Sequence, residues 1–60
     1  EMKLTVVMTS GKTINVRGRE LSWEMLGGIL RVFRVFSGKR TCLVEAPFDK
    51  VEAVILTEST

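Results

Sequence analysis

The sequence of 60 residues has no histidine and no tyrosine, and it contains one cysteine and one proline. With one thiol and no imidazole, a single chain cannot form an internal disulfide or supply the ligands of a Cys/His zinc site. Its carboxylates are scattered, with no Asp-x-Asp or Glu-x-x-Glu pair to hold a metal. Catalysis needs a nucleophile beside a base, titratable groups with separated pKa values, or a metal. We therefore expect no enzymatic activity, no metal and no cofactor.

The sequence also lacks the features of a membrane or exported protein. No apolar run approaches the roughly 20 residues of a membrane-spanning helix. The first residues lack the basic-then-apolar layout of a signal peptide, and we expect the natural chain to begin at Met2. Cys42 lies among Thr41, Leu43 and Val44, where a thiol is usually a small buried hydrophobe rather than a reactive thiolate. A lone thiol agrees with a reducing compartment. We expect a cytoplasmic protein without membrane contact.

The length of the chain limits how much core it can build. Apolar residues make up 45% of the sequence, which is more than a disordered segment carries. A domain of about 60 residues buries only about 60% of the surface its unfolded chain exposes. Small domains compensate with disulfides, metals or self-association, and the sequence excludes the first two within one chain. We expect one domain over residues 2–57, a frayed tail at 58–60, and a homo-oligomer.

The segment MTSGKT at residues 8–13 ends like a nucleotide-binding P-loop, but its surroundings favour a β-turn. Apolar residues alternate before and after it, which is the period of a half-buried strand. A three-residue loop ending at Gly11 pairs Val6 with Ile14 and Leu4 with Val16, which places the aliphatic residues on one face. Glycine suits the left-handed position of such a loop. A P-loop needs the pattern GxxxxGK[ST] and a following helix, and the sequence has neither.

The segment from Gly18 to Phe36 admits two interpretations. Gly27-Gly28 favours a two-residue hairpin turn, which would place Trp23 opposite Val32 and Glu24 opposite Arg31. The alternative is a helix capped by Ser22, whose apolar face would comprise Met25, Leu26, Ile29, Leu30, Phe33 and Phe36. That helix would contain two central glycines, each costing about 1 kcal/mol relative to alanine. The hairpin is favoured, and the helix remains open.

The last part of the chain predicts further strands. Residues 37–40 repeat the turn chemistry of the first loop and lead into a strand over 41–45. Residues 46–50 interrupt the ladder, because Pro47 has no amide hydrogen to donate. Residues 51–57 form a final strand with Val51, Ala53 and Ile55 on one side; a short helix capped by Asp49 competes with it. The expected fold is all-β, a five- to six-stranded antiparallel meander or an SH3/Sm-like barrel. The alternative is α+β, ββαββ, with a helix near 22–36.

Two sets of residues are candidates for function. Basic residues concentrate in the middle of the chain and indicate binding of an anion; they are Arg17, Arg19, Arg31, Arg34, Lys39 and Arg40. The strand at 30–36 carries bulky apolar residues on both alternating faces, which one small sheet cannot cover. Aromatic residues concentrate at the centres of interfaces, so this strand and the last one predict a subunit interface. Its candidates are Trp23, Phe33, Val35, Phe36, Val54 and Leu56.

The segments MKLTVVMTSGKTINV, LGGILRVFRVF and VEAVIL together resemble small uncharacterised proteins of phages and prophages of Gram-positive bacteria. The resemblance covers most of the chain: a Lys-Leu-Thr-Val strand, a Ser-Gly-Lys turn, a small-residue hairpin and a closing Ala-hydrophobic strand. These motifs are structural and transfer no catalytic residue. The resemblance implies a compact β protein with an SH3- or Sm-like layout, a location in a host cytoplasm, and a role in regulation or counter-defence.

Three functions are consistent with the sequence. The first is a homo-oligomeric module that binds an anionic partner, nucleic acid or nucleotide, through the basic middle of the chain. The second is a phage-encoded protein that acts by docking on a host factor. The third is a structural or assembly subunit. The first is favoured, because it accounts for both the basic residues and the surplus of apolar residues.

Overall fold

The computed structural model describes residues 1–58 and contains only strands and one short 3₁₀ turn. The six strands are β1 (Met2–Met8), β2 (Thr13–Gly18), β3 (Leu21–Leu26), β4 (Ile29–Phe36), β5 (Lys39–Pro47) and β6 (Val51–Glu58). The 3₁₀ turn, Phe48–Lys50, joins the last two strands. No helix in this described part of the chain is long and apolar enough to span a membrane. The prediction of an all-β fold is confirmed.

The strands form two three-stranded antiparallel sheets, which we call sheet A and sheet B. Sheet A has the order β2-β1-β6, and sheet B has the order β3-β4-β5. One face of each sheet contributes to a shared core, in which Leu4 and Val6 of sheet A and Leu30 and Val32 of sheet B are fully buried. The molecule measures 12 Å along its shortest axis, as expected for two packed sheets.

The sheets do not close into a barrel. Within residues 1–58, neither outer strand of sheet A pairs with a strand of sheet B. Sheet B is a meander, but in sheet A the last strand of the chain lies beside the first. The sequence-based alternatives of a closed SH3/Sm-like barrel and of one continuous meander are therefore replaced by a small two-sheet sandwich.

The first hairpin has the predicted register. Val6 pairs with Ile14 and Leu4 with Val16, and Gly11 has a φ of +92°. The amide of Met8 donates to the carbonyl of Lys12 at 2.8 Å, which closes the three-residue loop. The MTSGKT segment therefore connects two strands and precedes no helix.

The middle segment is a hairpin, so the alternative helix near 22–36 is wrong. Gly27 and Gly28 have φ values of +62° and +74°, as a type I′ turn requires. Trp23 pairs with Val32, and Glu24 pairs with Arg31. Two adjacent left-handed residues are easily accommodated in this turn but would disrupt a helix, and the β-branched residues of β4 add to the preference for a strand.

Replacing Gly28 by valine is expected to destabilise the protein by about 1–3 kcal/mol, because a β-branched residue is strained at positive φ. The change Gly27→Asn should cost little, since Asn-Gly is a favoured type I′ pair. Urea denaturation of both variants measures the difference. Equal stability of Gly28→Val and wild type would contradict the assigned turn.

The last strand differs from the sequence-based expectation in its faces. The register shifts between Val7 and Met8, so that Val7 pairs with Ala53 but Met8 pairs with Val51. Because Glu52 is an extra residue in β6, Val51 lies on the core side. Val51 packs against the core there, as Val54 does, and does not share a face with Ala53. The alternative helix capped by Asp49 is wrong, because residues 51–58 are a strand. Of the expected frayed tail, Glu58 belongs to β6, and residues 59 and 60 lie outside the described residues.

Candidate anion-binding and association surfaces

Two of the six candidate anion-binding residues form ion pairs on the outer face of sheet B. Nε of Arg31 donates to Oε2 of Glu45 at 2.8 Å, and its Nη1 lies 3.9 Å from Oε2 of Glu24. Nη1 of Arg40 lies 3.8 Å from Oε1 of Glu24. The hydrogen bond that Arg31 donates to Glu45, opposed in part by desolvation and helped by the charges of both carboxylates, raises the pKa of Arg31. These two arginines already have carboxylate partners.

A β-bulge makes this arrangement possible. Phe33 pairs with Cys42, but the next pair along is Val32 with Val44, so Leu43 is the extra residue. Without the shift Arg31 would face Val44. With it, Glu45 lies directly across from Arg31, and Val44 joins the buried face.

Phe33 lies on the outer face of sheet B and is nevertheless only 7% exposed. The guanidinium of Arg40 stacks on its ring, with Cζ 4.0 Å from the ring centroid. Its cross-strand neighbours, Ser22 and Cys42, are small, so the ring lies between them beneath the arginine. A cation over an aromatic face is a favourable contact. The protomer itself therefore shelters this side chain, which leaves Phe33 no surface to offer a subunit or a nucleobase.

Three of the remaining basic residues surround Gly18. Arg17 and Arg19 flank it in the chain, and a Cβ built on Gly18 would lie only 3.1 Å from Cδ of Arg34. The stem of Arg34 therefore packs against the backbone at the end of β2, where only glycine leaves enough room. We give the name Gly18 basic cluster to these three residues and Lys3, which pairs with Arg17 on the outer face of sheet A, whereas Arg34 approaches Gly18 from the core-facing side.

The electrostatics of the Gly18 basic cluster differ from those around Arg31. No ion pair joins any of its four side chains to a carboxylate within residues 1–58. Like charges directly opposite one another are unfavourable across strands, and Lys3 faces Arg17 in this way. Lys39, the last of the six candidates, lies across from Phe36, two residues beyond Arg34 along β4 and at the same end of sheet B. The structure thus divides the predicted anion site into a neutralised group, a separate lysine and this cluster.

The six candidate interface residues also fall into buried, partly exposed and largely exposed groups. Val54 packs on the core and Val35 is half-buried, in addition to the buried Phe33. Trp23 and Leu56 lie on the core-facing sides of edge strands and remain 47% and 48% exposed. Phe36 is 77% exposed at the end of β4. Of the apolar residues of strand 30–36, whose two faces predicted an interface, Phe36 is the one that is largely uncovered.

Sequence reasoning missed other exposed apolar residues. Leu26 and Phe48 are 66% and 51% exposed, and Met25, Leu43 and Ile55 are also exposed. Near the first two, an open depression of about 200 Å³ is lined by Ile29, Glu45, Ala46 and Pro47. The amide of Phe48 donates to the carbonyl of Gly28 at 2.8 Å, which holds the 3₁₀ turn against the middle hairpin. No periodicity in the sequence marks this site, because three separate segments build it.

The expectation of a buried Cys42 is wrong. Its partner across the strands is Phe33, so the thiol lies on the outer face of sheet B and is exposed. Counting back from the Ser37-Gly38 turn, where Phe36 pairs with Lys39, would have predicted this face. The thiol donates to the carbonyl of Val44 at 3.5 Å. No group of three or more possible metal ligands occurs among the described residues.

No protein family, curated protein or solved structure gives a significant match to this chain.

Proposed function

We propose that the chain is a non-enzymatic, self-associating binding module whose Gly18 basic cluster takes an anionic ligand, nucleic acid or nucleotide. The observation that carries the ligand class is the contrast between two arginine environments. Arg31 lies between two glutamates, whereas Arg17 faces Lys3 and neither is paired with a carboxylate among residues 1–58. A phosphate placed between the two cations would relieve their repulsion and accept charge-assisted hydrogen bonds.

Self-association is supported by the size and surface of the protomer. Its accessible surface is 4310 Å² for a mass of 6.7 kDa. A compact monomer of that mass exposes about 3,900 Å², so the excess is about 400 Å². A weak or transient interface buries about 600 Å² per partner or less, so burial of this excess of about 400 Å² would be enough to form one. The exposed large hydrophobic residues are the surface that such contacts would remove from water.

The resemblance to phage proteins adds a biological setting to the proposal: regulation or counter-defence in a host cytoplasm. The same exposed apolar residues also suit a host protein as partner, which is the second candidate function. Recovery of a stoichiometric host protein with the bait, reduced by Leu26→Ser but not by loss of the basic cluster, would favour that candidate.

Binding of a labelled single-stranded oligonucleotide is expected to be strongly salt-dependent. Four cations on a single strand give a slope of about −2.8 in log K against log salt, hence an approximately 50-fold loss between 50 and 200 mM. The double variant Lys3→Ser/Arg17→Ser retains about two contacts, so its loss should be only about sevenfold. Fluorescence anisotropy measures both slopes, and competition by free nucleotides separates the two ligand types.

The matched control is the double variant Lys12→Ser/Lys50→Ser, which removes the same formal charge from the turns at the other end of β1. Its salt slope should equal that of wild type. Binding that does not respond to salt, or an equal change of slope in both double variants, would contradict a ligand site at the cluster.

A further inference from the structure

The two ends of the β4–β5 hairpin differ in shape. At the turn end, Phe36 projects with 77% of its surface exposed. At the open end, where Ile29 pairs with Pro47, lies the open depression lined by Ile29, Glu45, Ala46 and Pro47. We call Phe36 the knob and this depression the socket. The seven residue steps between Ile29 and Phe36 separate them by about 23 Å.

The socket has the size and chemistry to receive an aromatic ring. Its volume is about 200 Å³, and an apolar cavity of about 150 Å³ is enough to hold benzene. Three of its four lining residues are apolar, and the exposed side chains of Leu26 and Phe48 extend the apolar surface around it. Aromatic residues that fill such pockets are the usual anchors of protein interfaces.

The charges at the two ends are complementary. Lys39 lies directly across from Phe36, and no ion pair within residues 1–58 involves it. At the socket, Oε2 of Glu45 accepts from Nε of Arg31, and Asp49 lies in the adjoining 3₁₀ turn. Lys50 follows Asp49, so the socket end carries charges of both signs. Lys39 beside the knob would meet the carboxylates of Asp49 and Glu45 beside the socket.

We propose that copies of this chain associate head to tail, the Phe36 knob of one copy entering the socket of the next, with Lys39 against Glu45 and Asp49. The contact joins two different patches, so it is heterologous and builds a ring or an open filament instead of a two-fold dimer. This inference depends on the self-association proposed above and specifies its geometry. The knob lies at the same end of sheet B as the Gly18 basic cluster, since Arg34 is two residues before Phe36 on β4 and the amide of Val35 donates to the carbonyl of Glu20 at 3.0 Å.

Two complementary variants test this geometry. Phe36→Ser removes the knob and keeps the socket, whereas Pro47→Arg keeps the knob and places a repelling cation in the socket. Each alone should associate at least about thirtyfold more weakly than wild type, as for loss of an aromatic hot spot. Mixed together, they should form a heterodimer of twice 6.7 kDa, about 13.4 kDa, because one intact knob meets one intact socket. Sedimentation velocity measures all three samples.

Ile55→Ser is the control, since it removes an apolar residue that is 48% exposed on the outer face of sheet A, whereas the β4–β5 hairpin belongs to sheet B. It should associate as wild type does. If wild type is monomeric, the proposed self-association is wrong. If wild type associates and Phe36→Ser associates equally well, or the two variants do not form a heterodimer when mixed, self-association stands and the knob-and-socket contact is wrong. Circular dichroism establishes that each variant is folded before it is compared.

Discussion

Leu30→Ala is expected to lower the free energy of unfolding by about 2–5 kcal/mol, the range for deletion of a fully buried leucine side chain. Leu30 is fully buried between the two sheets, together with Val32, Leu4 and Val6. A chain of this length has a total stability of about 3–9 kcal/mol, so the variant should be largely unfolded or close to its midpoint at room temperature. Urea denaturation followed by circular dichroism measures the change.

Leu26→Ala is the matched control, because it makes the same substitution at a leucine that is 66% exposed at the end of β3. Its stability should fall within about 0.5 kcal/mol of wild type. If the two alanine variants were equally stable, the two sheets would not share the core described here.

Phe33→Ala is expected to destabilise the protein by about 3–5 kcal/mol, although Phe33 lies on the outer face of its sheet. The reason is that Arg40 covers the ring of Phe33. Its guanidinium stacks with Cζ 4.0 Å from the ring centroid, and only 7% of Phe33 is exposed. Because the cover comes from the same protomer, the loss should be the same at low and high protein concentration. Urea denaturation at two protein concentrations measures the loss of stability and shows whether that loss depends on protein concentration.

Arg40→Ala separates the arginine from the ring. It should cost about 0.5–1 kcal/mol, the value of a cation–π contact at an exposed site. A loss on Phe33→Ala that disappears at low concentration would instead identify Phe33 as an anchor between subunits, as strand 30–36 suggested from its sequence.

The turns were the most predictable part of the fold. The register of the first hairpin follows from the alternation of Leu4 and Val6 with the loop ending at Gly11, and Gly27-Gly28 determines the second. In each case local chemistry and the hydrophobic pattern require the same structure, which is why a sequence-based argument succeeds.

The β-bulges were not predictable, and they changed the assignment of faces. The extra residues, Leu43 and Glu52, each shift a register by one, which moves all the following side chains to the opposite face. The pairing of Glu45 with Arg31 depends on the first bulge, and the packing of Val51 depends on the second. A strand's periodicity shows that one face is buried, but the position of a bulge depends on how the two sheets twist against each other.

The candidate site was predicted only in part for the same reason. Basic residues close in sequence, such as Arg31 and Arg34, lie on opposite faces of β4, because side chains alternate along a strand in all but bulged positions. Arg34 and Gly18 are distant in sequence and come together only when the two sheets pack. The knob is visible in the sequence as an aromatic residue before a turn, whereas the socket exists only after β4 and β5 pair.

The solution mass, measured by multi-angle light scattering from low micromolar to several hundred micromolar protein, tests most directly whether this protein self-associates. We predict a mass that rises with concentration above the 6.7 kDa of one chain, and that falls back toward it in Phe36→Ser. A mass of 6.7 kDa at every concentration would contradict self-association and would leave the exposed apolar residues as ordinary surface of a monomer.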